Sequence, residues 1–182
     1  MKRTKSQASR YAVAKGKDYE RRVAKILSEW WGSTLHRTPT SGVNIYSGDI
    51  VDDKGQFPFI VECKKNEQWS LGNLLEKAQG EKTLWGFWRQ ALGNWLEADP
   101  HHHENDPPLL VFSRSHGPDY FIARLQDILD IGQFCGAWMA QALLVAPPWI
   151  GAERVMVGKM ENFLGQFDSE MLRTIPRFRR KK

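Results

Sequence analysis

The chain predicts an α/β domain: a central mixed β-sheet flanked by helices, with a C-terminal extension. Three observations lead there. Periodic segments follow the order helix, strands, helix, strands, which suits a sheet covered by helices. The length of 182 residues matches one domain with elaborations. Hydrophobic residues at 41% and aromatics at 12% can fill one core, and no apolar run approaches the ~18–20 residues needed to cross a bilayer. Residues 1–14 read as a flexible basic arm, 15–130 as the core, and 131–182 as an extension with a basic tail packed on the same domain.

In GKDYERRVAKILSEWWG, Tyr19, Val23, Ile26, Leu27, Trp30 and Trp31 recur at helical spacing, and Gly32 ends the run. A short strand over 34–37 then gives way to a Pro/Ser/Gly loop. Strands at 49–51 and 59–64 flank DDKGQ, where Gly55 accepts positive φ, so a hairpin is expected. Pro58 has no N–H for a ladder, which predicts a bulge or a sheet edge there. From 70 to 97 a helical pattern passes through Trp85, Trp88 and Trp95, with glycines that can split it in two. LLVFSR and YFIARL read as two further strands around a turn at 115–119. Beyond Asp127 the pattern gives apolar helical stretches, a break at Pro147–Pro148, a strand at 154–157 and a helix at 160–167.

Charge is polarised along the chain. Residues 1–25 carry nine Lys/Arg against two Asp/Glu and residues 173–182 carry six against none, leaving eleven positive and nineteen negative side chains between. Basic ends favour a polyanion, since each neutralised phosphate releases counterions; solvated tails that aid solubility are the alternative. The N-terminus has no apolar stretch to act as a signal peptide, so the cytoplasm is expected, with no membrane. Cys63 and Cys135 lack metal-ligand spacing, and Cys63 reads as a buried thiol rather than a nucleophile.

The chemistry concentrates in GDIVDDKGQFPFIVECKK, residues 48–65. Glu62 and Lys64, two apart in a strand, face one side while Val61 and Cys63 face the other. A turn centred on Lys54–Gly55 puts Asp49 nearly opposite Ile60, with Glu62 a diagonal neighbour about 7–8 Å away. Two such carboxylates can share one Mg²⁺, an ion commonly held by one or two carboxylates, water and phosphate oxygens. A nearby lysine can orient the nucleophile or offset phosphate charge. Alone, an E-x-K triplet is as consistent with ordinary surface charge.

Asp49 with Glu62-Cys63-Lys64 resembles the acid and E-x-K elements of the PD-(D/E)xK nuclease superfamily. Upstream, GKDYE at 16–20 resembles the G-K-x-x-E helix of archaeal-type Holliday-junction resolvases, and RTPTSG at 37–42 resembles their R-x-x-x-S-G loop. The resemblance covers residues 15–125. It implies a restriction-endonuclease-like fold, Mg²⁺ with Mn²⁺ as substitute, a homodimer, and hydrolysis of paired strands at four-way DNA junctions. By position it implies Glu20, Asp49, Glu62 and the Cys63 carbonyl at the metal, with Lys64 assisting the attacking water. Arg37 and Ser41 would then face the junction, and Lys15, Lys17 and Lys65 are expected to contact DNA. A long tryptophan-rich helix and some fifty residues past the match depart from the resolvase pattern.

The expected activity is therefore that of a metal-dependent DNA endonuclease, first a junction resolvase acting in DNA recombination and repair, and phage-encoded by its size. A restriction-like or repair nuclease on linear duplex, flap or single strands is the second reading; a non-catalytic DNA-binding dimer is the third. Trp85, Trp88 and Trp95 favour a core stripe or dimer face over base stacking. His101, His102 and His103 favour a solvated loop over a metal site. Gln90 reads either as an accessory glutamine or as a surface residue.

Overall fold

The computed structural model describes residues 5–39, 48–67, 69, 70, 72, 80–97, 106–135, 142–149 and 152–175. In chain order the described elements are α1 (Lys5–Trp31), β1 (Leu35–Arg37), β2 (Ile50–Asp52), β3 (Ile60–Lys65), α2 (Leu84–Glu97), β4 (Pro108–Ser113) and β5 (Asp119–Arg124). After these come α3 (Leu125–Cys135), β6 (Ala142–Val145), β7 (Val155–Lys159), α4 (Met160–Gln166) and α5 (Ser169–Leu172). Seven strands form one sheet in the order β1-β2-β3-β4-β5-β7-β6. Only β3 and β4 pair in parallel; the other neighbours are antiparallel. A parallel pair needs a crossover, and α2 lies on it. The mixed α/β sheet expected from the sequence is present.

Strand alternation gives the sheet two apolar faces. Val61, Cys63, Leu109, Val111, Phe121 and Ala123 pack with α1 and the C-terminal helices. Leu110, Phe112, Ile122, Val155 and Val157 pack against α2. On α1 the buried residues Tyr19, Val23, Leu27 and Trp31 recur every four positions, one helical face, and each contributes roughly 1.5–3 kcal/mol by burial. Gly32 stops the helix at φ +70°, its N–H bonding the Ser28 carbonyl. Trp85 and Trp88 are both 1% exposed, so these two are core and cannot stack on bases. The histidine run lies outside the described residues.

The structure departs from sequence expectation in two elements of the fold. Residues 5–14, expected to be flexible, belong to α1. Ala8, Ala12 and Ala14 among Lys, Gln and Arg are good helix formers with no proline to stop them, and Tyr11 and Val13 stay exposed. ALLV at 142–145, to which the sequence reading assigns no strand, is β6, because β7 offers it a complete antiparallel edge from Ala142↔Gly158 to Val145↔Val155. Local propensity decides the first; pairing overrides it in the second.

Residues past 131 also brace the hairpin. Phe163 of α4 is fully buried, with ring centroids 5.7 Å from Phe59, 5.1 Å from Phe121 and 5.0 Å from Phe167. Phe57 meets Trp31 edge-on at 5.7 Å. The loop between β2 and β3 is thus clamped between α1 and α4.

Candidate active site

The loop after β2 is organised by a buried acid. Asp52, 7% exposed, accepts hydrogen bonds from the backbone N–H groups of Lys54, Gln56 and Phe57. It serves the turn rather than the chemistry, an Asx-type role. Pro58 falls between the strands, so no ladder bond is lost.

Gly48 admits Asp49 to the edge of the strand pair. It sits at φ +89°, and a Cβ there would lie 2.6 Å from the Val61 carbonyl oxygen. Only glycine fits this conformation and approach. The Asp49 N–H then bonds the Val61 carbonyl at 2.7 Å, and the Asp49 carbonyl accepts from the Thr38 N–H at 2.9 Å. The β2–β3 register pairs Ile50 with Val61, and Asp49, one residue before β2, turns its carboxylate to the backbone of the E-x-K strand. Asp49 opposite Ile60 corresponds to Ile50 opposite Phe59, so the sequence-based register is corrected by two residues. The expected turn is present, with Gly55 at φ +59° and its N–H bonded to the Asp52 carbonyl at 2.8 Å, but residues 56–59 follow it outside the strands and shift the register.

Glu62 is 3% exposed and both its oxygens are engaged. Lys64 Nζ lies 2.5 Å from Oε1. Asn94 on α2 donates from Nδ2 to Oε2 at 2.9 Å. Asp49 Oδ2 accepts from the Cys63 N–H at 2.8 Å. Burial first, then the Glu62 carboxylate and more weakly Glu20, raise the Asp49 carboxyl to about 7, against the Cys63 amide and Lys64. Burial also drives the Cys63 thiol well above its usual range, in keeping with an inert thiol.

Glu20 arrives from α1 and stands beside Arg37 at the end of β1, with 3.6 Å between Oε2 and Nη1. The glutamate of the helix motif therefore meets the arginine that begins the loop motif. Lys15 pairs with Glu67, and Lys65 sits 5.6 Å over the Tyr19 ring. Lys17 is half-buried on α1. Ser41 lies outside the described residues. Gln90 is on the exposed face of α2, which favours its surface reading. Asn94, one turn further on, is the residue that reaches the site, and sequence reasoning passed over it. Its signal was a polar side chain in register with the buried stripe of Trp88 and Ala91.

Among the described residues, no three His, Cys, Asp or Glu side chains come close enough to hold a metal ion. Asp49 and Glu62 nevertheless fit an ion of the Mg²⁺ type, which commonly takes one or two carboxylates and completes its shell with water and phosphate. Their mutual repulsion, visible in the raised Asp49 carboxyl, is what a cation would relieve.

An acid facing an E-x-K strand in a mixed sheet, with a helix glutamate beside them, defines the PD-(D/E)xK nuclease class. The chain belongs to the family described as "phage putative PDDEXK endonuclease", whose model matches residues 11–173. No curated protein and no solved structure matches the chain significantly. The family supports a nuclease, with DNA as its implied substrate, and nucleases of this superfamily generally use divalent metals.

Proposed function

We propose that the chain is a Mg²⁺-dependent endodeoxyribonuclease that cuts four-way DNA junctions, with Mn²⁺ able to substitute. The observation that carries the nuclease part is the Asp49 carboxylate bonded to the Cys63 N–H at 2.8 Å, beside Glu62, with Lys64 Nζ 2.5 Å from Glu62. When bound, a divalent ion lowers the pKa of water and offsets the charge that builds on phosphorus. Asp49 and Glu62 are the side chains we assign to hold it, the Cys63 carbonyl a further donor, and Glu20 a contributor of negative potential. Lys64 supplies a positive charge beside the scissile phosphate and orients the water that is added across the P–O bond.

The branched substrate is the finer part of the reading, and GKDYE and RTPTSG support it. The contact between Glu20 and Arg37 adds to that support, since it joins the first residue of RTPTSG to the last of GKDYE. A homodimer, which would bring two sites to paired strands, and action in the host cytoplasm belong to the same proposal. Lys15, Lys17 and Lys65 remain the proposed DNA contacts, with Ser41 alongside Arg37.

The test is incubation with a labelled four-way junction, a linear duplex and a flap, each with Mg²⁺ or EDTA. Symmetric, metal-dependent cuts confined to the junction are expected. Equal cutting of the duplex or flap would replace the junction by a linear or flap substrate, and binding without cutting would sink the nuclease reading.

A further inference from the structure

Glu62 is the most constrained acid of the site, and its constraint comes from outside the motif. α2 is seated by Leu84, Trp85, Trp88 and Ala91, all buried. Gly86 is part of that seating: a Cβ there would lie 2.1 Å from the Gly80 carbonyl oxygen. Asn94 is three residues beyond Ala91, so it leaves the helix toward the sheet. There its Nδ2 meets Glu62 Oε2 at 2.9 Å, across 32 positions of sequence.

We propose that Asn94 is a positioning residue for the nuclease site: its amide fixes Glu62 through Oε2 and leaves Oε1, the oxygen shared with Lys64, to the metal and the reaction. The inference rests on the nuclease reading above. The residue type suits the task. An amide donates a hydrogen bond to a buried carboxylate without adding charge. An aspartate in its place would put a third negative charge beside Asp49 and Glu62 and could not donate when ionised. An apolar residue would strip Oε2 of a partner in a buried setting, where unmade hydrogen bonds are costly. Lys64, on a flexible stem with its side chain 23% exposed, can exchange Oε1 for phosphate, whereas Asn94 is carried by a helix locked in the core. Partners that orient metal ligands typically matter 10–100-fold in affinity or rate.

The test compares the full-length wild type with Asn94→Ala, the isosteric Asn94→Asp and the donor-retaining Asn94→Gln. Mn²⁺ binding is measured by calorimetry without DNA, and single-turnover cleavage is measured over a range of DNA concentrations. Expected for Asn94→Ala is a roughly 10–100-fold weaker Mn²⁺ affinity and a similar fall in the cleavage rate, with half-saturation by DNA unchanged. Asn94→Asp, equal in volume and therefore no test of packing, should lose as much or more, and Asn94→Gln should regain part. Wild-type Mn²⁺ affinity and rate in both Asn94→Ala and Asn94→Asp would overturn the positioning role while leaving the nuclease intact. A wild-type chain that neither binds Mn²⁺ nor cuts DNA would overturn both.

Discussion

The Asp49 carboxylate accepts a hydrogen bond from the Cys63 N–H at 2.8 Å, at the residue next to Glu62 on β3. Desolvation first, and the neighbouring Glu62 carboxylate second, raise the Asp49 carboxyl from 3.8 to about 7. The folded chain therefore holds a proton that the unfolded chain has released between about pH 4 and 7. Stability of the metal-free protein should fall as pH rises through that window and level off above it, at about 1.4 kcal/mol per pKa unit. Asp49→Asn should abolish this loss, which thermal unfolding in EDTA at pH 4.5 and 7.5 would reveal. An unchanged pH slope in the variant would contradict the assignment. Metal binding should displace the same proton, so Mn²⁺ affinity should rise with pH up to about 7.

Glu62→Gln removes the charge and keeps the shape. Cleavage should fall by about 100–1000-fold or more, the scale seen when one group that stabilises transition-state charge is lost. DNA binding, which rests on basic residues and phosphates, should stay within a few-fold. A filter-binding assay beside a cleavage assay measures both, and retained cleavage would take Glu62 out of the site.

Gly48→Ala tests the backbone that delivers Asp49. The position is at φ +89° and the new Cβ would meet the Val61 carbonyl oxygen at 2.6 Å. A loss of about 1–3 kcal/mol is expected from the strained conformation, read by urea unfolding. The cleavage rate should drop as well, because the Asp49–Val61 hydrogen bond moves with it.

Phe163→Ala probes the C-terminal segment. Phe163 is fully buried against Phe59 of the loop preceding β3 and Phe121 of β5. The cost should be about 3–5 kcal/mol. Truncation before α4 should therefore unfold or loosen the hairpin rather than merely trim a tail. Wild-type stability in Phe163→Ala would show that α4 is not a brace.

The helix over Tyr19–Trp31, the strands LLVFSR and YFIARL, and the core role of Trp85 and Trp88 were legible from period and punctuation alone, because each is a local pattern with one apolar face. The hairpin was legible as a hairpin, but its register was not. The Asp52 turn and the Phe57–Phe59 anchor absorb residues that a tight turn would have left in the strands. β6 was hidden because ALLV suits helix and strand equally, and only the free edge of β7 chooses between them. Asn94 was hidden for a related reason. A lone asparagine in a helix carries no chemistry until another element places a carboxylate 2.9 Å away.

The residues by themselves determined the class of this protein, since Asp49 and Glu62-Cys63-Lys64 carry a specific chemistry and strand alternation separates that chemistry from the core. Tertiary structure decided which groups share the site. It paired Ile50 with Val61 rather than Phe59, brought the Asp49 carboxylate to the Cys63 N–H and Arg37 to Glu20, and supplied Asn94 from the crossover helix. These are contacts between segments distant in sequence, fixed by how two packed faces and one long loop fit together, and no local preference encodes them.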